Sequence, residues 1–413
     1  MKNRKQDPIR ATAKAGRMVI WEEIARDGAQ GKTLLSANDR LEIAHKEAAI
    51  FGPHGTNHLV FAVGFPAVAP EEHLICQQFV AEANGLSPTL VCRGKRADIE
   101  QAVRIVKDVE NARIMIIVPA SDPVAAAMTH CRASQAIGDG AAFVKIAKDI
   151  APNVHVDISY ADVPRGDWRR VAEAASEATA AGAGVAVIND SFGFLTPRVT
   201  TAMWDELTKH ASEDVVFATH FHNDLGLGLA NTLAAVSAGA RVVSSSLLGL
   251  GERVGLTATE QVLYSLAADS AHTHRATGLT ESLWTEDLNL HNLPPLCNIV
   301  SERTNVAMSM THPIVGPGVN SISTGTPFVH PESFRPFDPE AVLGIQPTVV
   351  LSALANLRVV RAVAIRLGVE LTDEEARVAL RWVKQTCYRH ISGTLDDETF
   401  SAFLQTQKIG SAA

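Results

Sequence analysis

Paired cysteines are missing from this sequence. Cys76, Cys92, Cys131, Cys297 and Cys387 are odd in number and far apart, with no Cys-x-x-Cys among them. That excludes a disulfide scaffold and a zinc finger, and predicts reduced thiols in a cytoplasmic protein. An excess of positive charge is also missing. The 45 acidic residues outnumber the 37 basic ones, for a net charge of −8, so no nucleic-acid partner is expected. No apolar run approaches the ~18–20 residues that would span a bilayer, so no membrane partner is expected either. No Gly-x-Gly-x-x-Gly follows the first strand-like run, which removes the usual dinucleotide fingerprint. The basic residues Lys2, Arg4, Lys5, Arg10, Lys14 and Arg17 stand against Asp7 alone in residues 1–17. With no apolar signal-peptide core beside them, they read as a disordered basic tail.

What is present is a rhythm. At 413 residues, 46% hydrophobic and 20% charged, the chain can bury one large core and a smaller one. Apolar, β-branched runs fall at 18–20, 59–63, 89–92, 114–118, 154–158, 185–188, 215–218 and 242–248. Ala-rich segments of helical period alternate with them, at 37–50, 70–84, 97–109, 122–149, 167–181, 198–211, 227–238 and 256–269. Eight strand–helix pairs predict an α/β fold of the (β/α)8 TIM-barrel type over residues 18–285. A doubly wound open sheet is the alternative architecture. Residues 286–345, rich in Pro, Gly, Ser and His, read as a linker or small subdomain. Residues 346–413 read as a helical C-terminal subdomain, with helices over 351–367, 372–390 and 396–404.

The chemistry gathers at predicted strand ends. In His220-Phe221-His222-Asn223-Asp224 the two histidines share one face of a strand, roughly 7 Å apart, a spacing that suits one divalent metal. A third ligand must come from another strand end, and Asp27 in Arg26-Asp27-Gly28-Ala29-Gln30 is the best placed. Arg26 beside it suits an oxyanion. Ser121, Ser159 with Asp162 and Arg165, and Asn189-Asp190-Ser191 stand at further strand ends. Taken singly, Asp27-Gly28 also suits a surface turn and the hydroxyls suit helix caps.

Arg26 to Gln30, Gly64-Phe65-Pro66-Ala67, Asp190-Ser191-Phe192-Gly193, His220 to Asp224 and Gly251-Glu252-Arg253, in that order, resemble the DRE-TIM metallolyase superfamily. The similarity is to its Claisen-condensing branch, the isopropylmalate, homocitrate and citramalate synthases. The resemblance implies a divalent ion (Mg2+, Mn2+, Co2+ or Zn2+) held by Asp27, His220 and His222. It implies an acyl-CoA, acetyl-CoA foremost, and a 2-keto acid as substrates. Arg26 and Glu252 are then expected to be catalytic, and Gln30, Arg93, Ser159, Arg165, Ser191 and Asn223 to bind substrate. The later subdomain is expected to close the site, often from a second subunit. The apolar stripes of the last helices also point to a homodimer, because such stripes must be covered. Little room remains after those helices for the regulatory domain of long isopropylmalate synthases.

The departures from the pattern are specific. Leu256 stands where the family usually has a ligating Asn, Ala62 and Ala161 where it has Glu, and Ser191 where it has Thr. Asp157 stands where homocitrate synthases bind a carboxylate with Arg, so 2-oxoglutarate should be a poor substrate. The family's His-x-Ser-Gly-Ile-His falls on Ile322 to Pro327 and loses both histidines. His312 and His330 lie nearby and are the candidates for a replacement base, catalytic by expectation. Two other readings remain: an aldol-type lyase of the HMG-CoA lyase kind, or a catalytically impaired metabolite-binding paralogue. The lyase branch usually carries a Cys in the loop after the eighth strand, and Leu248 to Glu252 has none.

Overall fold

The computed structural model describes residues 6–31, 33–389 and 393–407. The chain divides into two compact units, Met1–Ala307 and Met308–Ala413. In the first, eight parallel strands close into a barrel: β1 (Val19–Glu22), β2 (Leu59–Gly64), β3 (Pro88–Arg93), β4 (Arg113–Pro119), β5 (His155–Ala161), β6 (Ala183–Asp190), β7 (Phe217–Phe221) and β8 (Val242–Ser245). β1 pairs in parallel with both β2 and β8, which leaves no free edge. Each expected apolar run is one of these strands, and a helix follows each. The helix expected over 122–149 is two, Asp122–Met128 and Ala133–Ile150. His130 between them has a left-handed φ of 57°, and the Asp122 carboxylate accepts from the Ala133 N–H at 2.8 Å to start the second helix.

Side chains alternate across a strand, so one face of each looks into the barrel. Val19 and Trp21, Val60 and Ala62, Val91, Met115, Val185 and Val187, Ala218 and Val242 fill the lumen. The same inward face continues to Arg93, Ser159, Asn189, His220 and Ser244 at the strands' C-terminal ends. The barrel is therefore apolar in its middle and polar at one mouth, the mouth on which TIM barrels carry their sites.

The opposite end corrects two expectations. The basic segment before β1 is not a tail throughout: Pro8–Lys14 is a helix. Asp7 caps it, accepting from the N–H groups of Ile9 and Arg10, and Pro8 supplies the fixed φ of a first turn. Ile9 and Ala13, one turn apart, are buried against Val19 and Trp21. Lys2, Arg4 and Lys5 lie outside the described residues. Asp157 is also misplaced by the expectation that it faces substrate. It is the third residue of β5, near the start of the strand, and lies fully buried against the Arg113 guanidinium at 2.7 and 2.8 Å. Arg113 also holds Asp7, at 3.1 Å, and lies over the Trp21 ring. Burial opposes ionisation of Asp7, but Arg113 overrides it and holds the carboxyl down at about 2. Asp157 thus seals the barrel floor, and the repulsion of a substrate carboxylate loses its basis.

The first unit runs beyond the expected boundary at 285. Its helix Leu293–Thr304 buries Leu293, Leu296, Cys297 and Val300, and the division falls after Ala307. In the second unit the helices Leu357–Arg366, Asp373–Cys387 and Asp397–Thr406 are capped by Asn356, Thr372 and Asp396. Thr372 and Glu375 form a reciprocal capping box, as their spacing predicts. The stripes of these helices cover one another. Val359, Val360, Val363, Ala379, Val383 and Phe400 share one core, and Trp382 stacks on Phe403 at 4.0 Å. The argument that a second subunit must cover these stripes therefore fails, and the homodimer expectation loses that support.

Behind β1, on its outward face, Glu22 and Glu47 are fully buried and face each other, with Glu260 and the Cys297 thiol close by. Burial pushes the Glu22 carboxyl up to about 7, and Glu47 is raised well above the usual range by burial and by Glu22. The folded chain keeps the Glu22 proton up to about pH 7, whereas the unfolded chain releases it near 4.5. Stability should therefore be greatest in mild acid and decline by on the order of 3 kcal/mol as pH rises through that window. Urea denaturation at pH 5 and pH 8 measures the slope, which Glu47→Gln is expected to flatten.

Candidate active site

At the mouth, β1 runs into one helical turn, Asp27–Gln30. The Glu23 carbonyl accepts the N–H groups of Arg26, Asp27 and Gly28, which folds the chain back and aims Asp27 across the barrel. Asp27 is anchored from both sides. Its Oδ1 accepts the Glu252 N–H at 2.9 Å, and its Oδ2 lies 3.0 Å from Arg26 Nη1. The loop after β8 reaches this close because Gly251 has no side chain: a Cβ there would stand 2.8 Å from Asp27 Oδ1. Gly255, at a left-handed φ of 91°, closes the same loop against the Gly249 carbonyl.

His220 and His222 face Asp27 from the end of β7. One ligand atom from each of the three residues lies within 4.8 Å of the other two, and all three residues are buried. His220 Nδ1 lies 2.8 Å from Ser244 Oγ, which leaves Nε2 turned to Asp27 Oδ2 at 3.8 Å. His222 Nδ1 is buried with no hydrogen-bond partner, although a buried ring nitrogen normally has one. Burial, with Arg26 as the next cause, drives the His220 imidazole well below its ordinary range, and burial lowers His222 as well. For Asp27 burial acts the other way, yet the Arg26 guanidinium holds its carboxyl low. Two neutral imidazoles and one carboxylate are the protonation states a divalent ion requires.

The other expected site residues divide. Arg26, 11% exposed, spends Nε on Glu23 Oε2 at 2.7 Å and Nη1 on Asp27, and still borders the trio of Asp27, His220 and His222. Glu252 contributes its backbone N–H, while its side chain is exposed. Ser159 is buried in the mouth, where its Oγ accepts from Asn189 Nδ2 at 2.8 Å. Arg93 stands at the end of β3, paired with Asp98 at 2.5 Å. Arg165 is held by Asp162 and lies over the Phe192 ring at 4.2 Å. Ser191 Oγ accepts from the Asp162 N–H, and Asn223 Oδ1 accepts from the Gly228 N–H, so both shape loops around the mouth. Gln30 is exposed. Leu256, in the place of a ligating Asn, is buried and bridges His222 through its backbone. His312 and His330 belong to the second unit, in which His330 is exposed and lies 3.5 Å from Glu332.

Two residues of the mouth, Glu23 and Ser244, were not assigned from the sequence, and Asn189 was placed at a strand end without a role. The strand alternation carried the signal, because Glu23 follows Val19 and Trp21 in step of two and Ser244 follows Val242. The loops over the mouth are also tied together. Arg253 grips both Asp224 oxygens at 2.8 Å and donates to the Ser191 carbonyl at 3.0 Å, joining the loops after β6, β7 and β8.

The chain is similar to several known proteins. A 2-isopropylmalate synthase of Shouchella clausii is 26% identical over 388 residues, covering 92% of this chain and 71% of the relative. A homocitrate synthase of Methanothermobacter thermautotrophicus is 26% identical over 391 residues, covering 93% of this chain and 92% of the relative. Among solved structures, a hydroxymethylglutaryl-CoA lyase from Pseudomonas aeruginosa superposes with a TM-score of 0.53 at 21% identity, over 69% of this chain and 92% of that one. The last likeness is one of fold. The family model described as HMGL-like matches residues 18–300, and the chain belongs to that family, within the DRE-TIM superfamily.

Proposed function

We propose that this protein is a divalent-metal-dependent synthase that condenses an acyl-CoA, acetyl-CoA foremost, with a 2-keto acid. The observation that carries this reading is the buried trio Asp27, His220 and His222, with ligand atoms within 4.8 Å of one another. The 26% identity to synthases of this type over more than nine-tenths of the chain supports it. Asp27, His220 and His222 would hold the ion, which would supply a Lewis acid to polarise the keto acid.

The chain's own groups do the rest. Arg26, kept rigid by Glu23 and Asp27, directs its remaining N–H donors at the carbonyl oxygen that gains charge as the new carbon–carbon bond forms. Ser159 and Asn189 line the mouth as a neutral polar wall for the keto acid. A cavity of about 460 Å3 opens at the ends of β3 and β4, lined by Arg93 and Lys95, by Asp139, and by the apolar Ile117, Met128 and Phe143. That chemistry suits a phosphorylated carrier with an apolar arm. A base takes a proton from the α-carbon of the acyl group, the resulting carbanion attacks the ketone, and water cleaves the thioester. The products are a 2-hydroxy acid and free CoA.

Thiol release from acetyl-CoA, measured over a panel of 2-keto acids with Mg2+, Mn2+, Co2+ or Zn2+, tests the reading. Release with one keto acid is expected. Cleavage of a hydroxyacyl-CoA instead would establish the lyase alternative, against which the cysteine-free loop after β8 counts. Silence in both assays would leave a metabolite-binding paralogue.

His222→Ala is expected to lose bound metal and turnover together while keeping its circular dichroism spectrum. Full metal content by elemental analysis would sink the ligand assignment. For the base, His312 and His330 remain the candidates, since an imidazole nitrogen can take a proton from carbon. The double variant His312→Ala/His330→Ala should turn over about 100-fold more slowly. Unchanged kcat would assign the proton to another group.

A further inference from the structure

Glu23 ends the inward face of β1 and is 1% exposed. Its Oε2 is committed to Arg26 Nε at 2.7 Å. Its Oε1 is buried with no hydrogen-bond partner, 3.7 Å from His220 Nδ1 and beside the Ser244 hydroxyl. Ser244 Oγ lies 2.8 Å from that same Nδ1. The barrel's register brings the three together. Ser244 pairs with Trp21 on one side and with His220 on the other, and Glu23 follows Trp21 on the same face.

Proton bookkeeping then decides the tautomer. A serine hydroxyl has one hydrogen to give. Donated to Nδ1, it would place the imidazole proton on Nε2, the atom that faces Asp27, and would leave Glu23 Oε1 orphaned in a dry site. Donated to Glu23 Oε1, it satisfies that oxygen and turns a Ser244 lone pair to Nδ1–H. The Nε2 lone pair is then free. The second arrangement leaves no carboxylate oxygen orphaned, and its one unpaired atom, the His220 Nε2 lone pair, faces Asp27 where an ion would sit.

We propose that Glu23 is a positioning residue. Through Ser244 it fixes His220 as the Nδ1–H tautomer with Nε2 ready to ligate, and through its other oxygen it fixes Arg26. One carboxylate would thereby orient both a metal ligand and the cation beside it. The inference rests on the metal reading above, and partners of this kind behind a ligating histidine typically contribute 10–100-fold in metal affinity.

The test compares the whole protein with Ser244→Ala, Glu23→Leu and Glu23→Gln by calorimetric titration with Co2+. Nitrogen-15 spectra of the metal-free His220 ring report its tautomer. Ser244→Ala and Glu23→Leu are each expected to weaken Co2+ binding 10–100-fold, and the pair together no further than the worse single change. Glu23→Gln should recover most of the loss, because the relay needs an acceptor rather than a charge. The parent should show a predominant Nδ1–H form that Ser244→Ala erodes. Should Glu23→Leu fail to fold, Ser244→Ala decides alone. Parent-like Co2+ affinity in the folded variants would overturn this inference and leave the metal site standing. A parent that takes up no Co2+ would overturn the metal assignment, and this inference with it.

Discussion

Closure of a parallel sheet imposes one constraint on everything else in the barrel. Each strand must present alternate side chains to a lumen too narrow for water, so every second residue has to be apolar or fully paired. Valine, alanine, methionine and one tryptophan meet that demand in the middle of the lumen. At the floor, Arg113 is allowed inside only because Asp7 and Asp157 share its charge. At the mouth the same inward positions become His220, Ser244, Ser159 and Asn189, each close to a polar neighbour. The candidate site is thus the last layer of the core, and its precision comes from the layers beneath it.

That origin accounts for the electrostatics of the mouth. Desolvation disfavours charge on any of these groups, and only specific partners restore it. Asp27 stays ionised because Arg26 and a backbone N–H face it, while the histidines, with no comparable compensation, stay neutral. The separation of charged and neutral states within one small space leaves one carboxylate beside two neutral imidazoles, the states a divalent ion requires. Arg26 is held in turn by Glu23, so the cation beside the trio is as fixed as the trio itself. Rigid donors of this kind stabilise developing charge without reorganising, the larger part of what such a site can contribute.

The second unit obeys a different logic. Its helices build a small core of their own from Val359, Val363, Val383 and Phe400, with an aromatic stack of Trp382 on Phe403. An amphipathic stripe demands cover, but the demand does not say who provides it, and here neighbouring helices of the same unit do. Its chemistry differs from the family's pattern as well, because Ile322 to Pro327 lacks the expected histidines.

Local pattern alone decided a good deal. Apolar runs eight times repeated, with helical periods between them, allow few packings other than a barrel. The His220–His222 alternation puts two imidazoles on one face whatever surrounds them. Thr372 and Glu375 announce a helix start because a capping box is made within four residues. Other features depend on partners distant in sequence. Whether Asp157 looks toward the substrate or the floor turned on its height in β5, which only the pairing with β4 and Arg113 defines. Asp7 and Pro8 carry the marks of a helix start, but the helix has a reason to persist only where Ile9 and Ala13 find the barrel floor. Glu23 and Ser244 lie more than 200 residues apart and say nothing of each other until β1 closes on β8. Alternation and capping act between near neighbours and can be read along the chain, whereas register and closure join remote segments and exist only in the folded molecule.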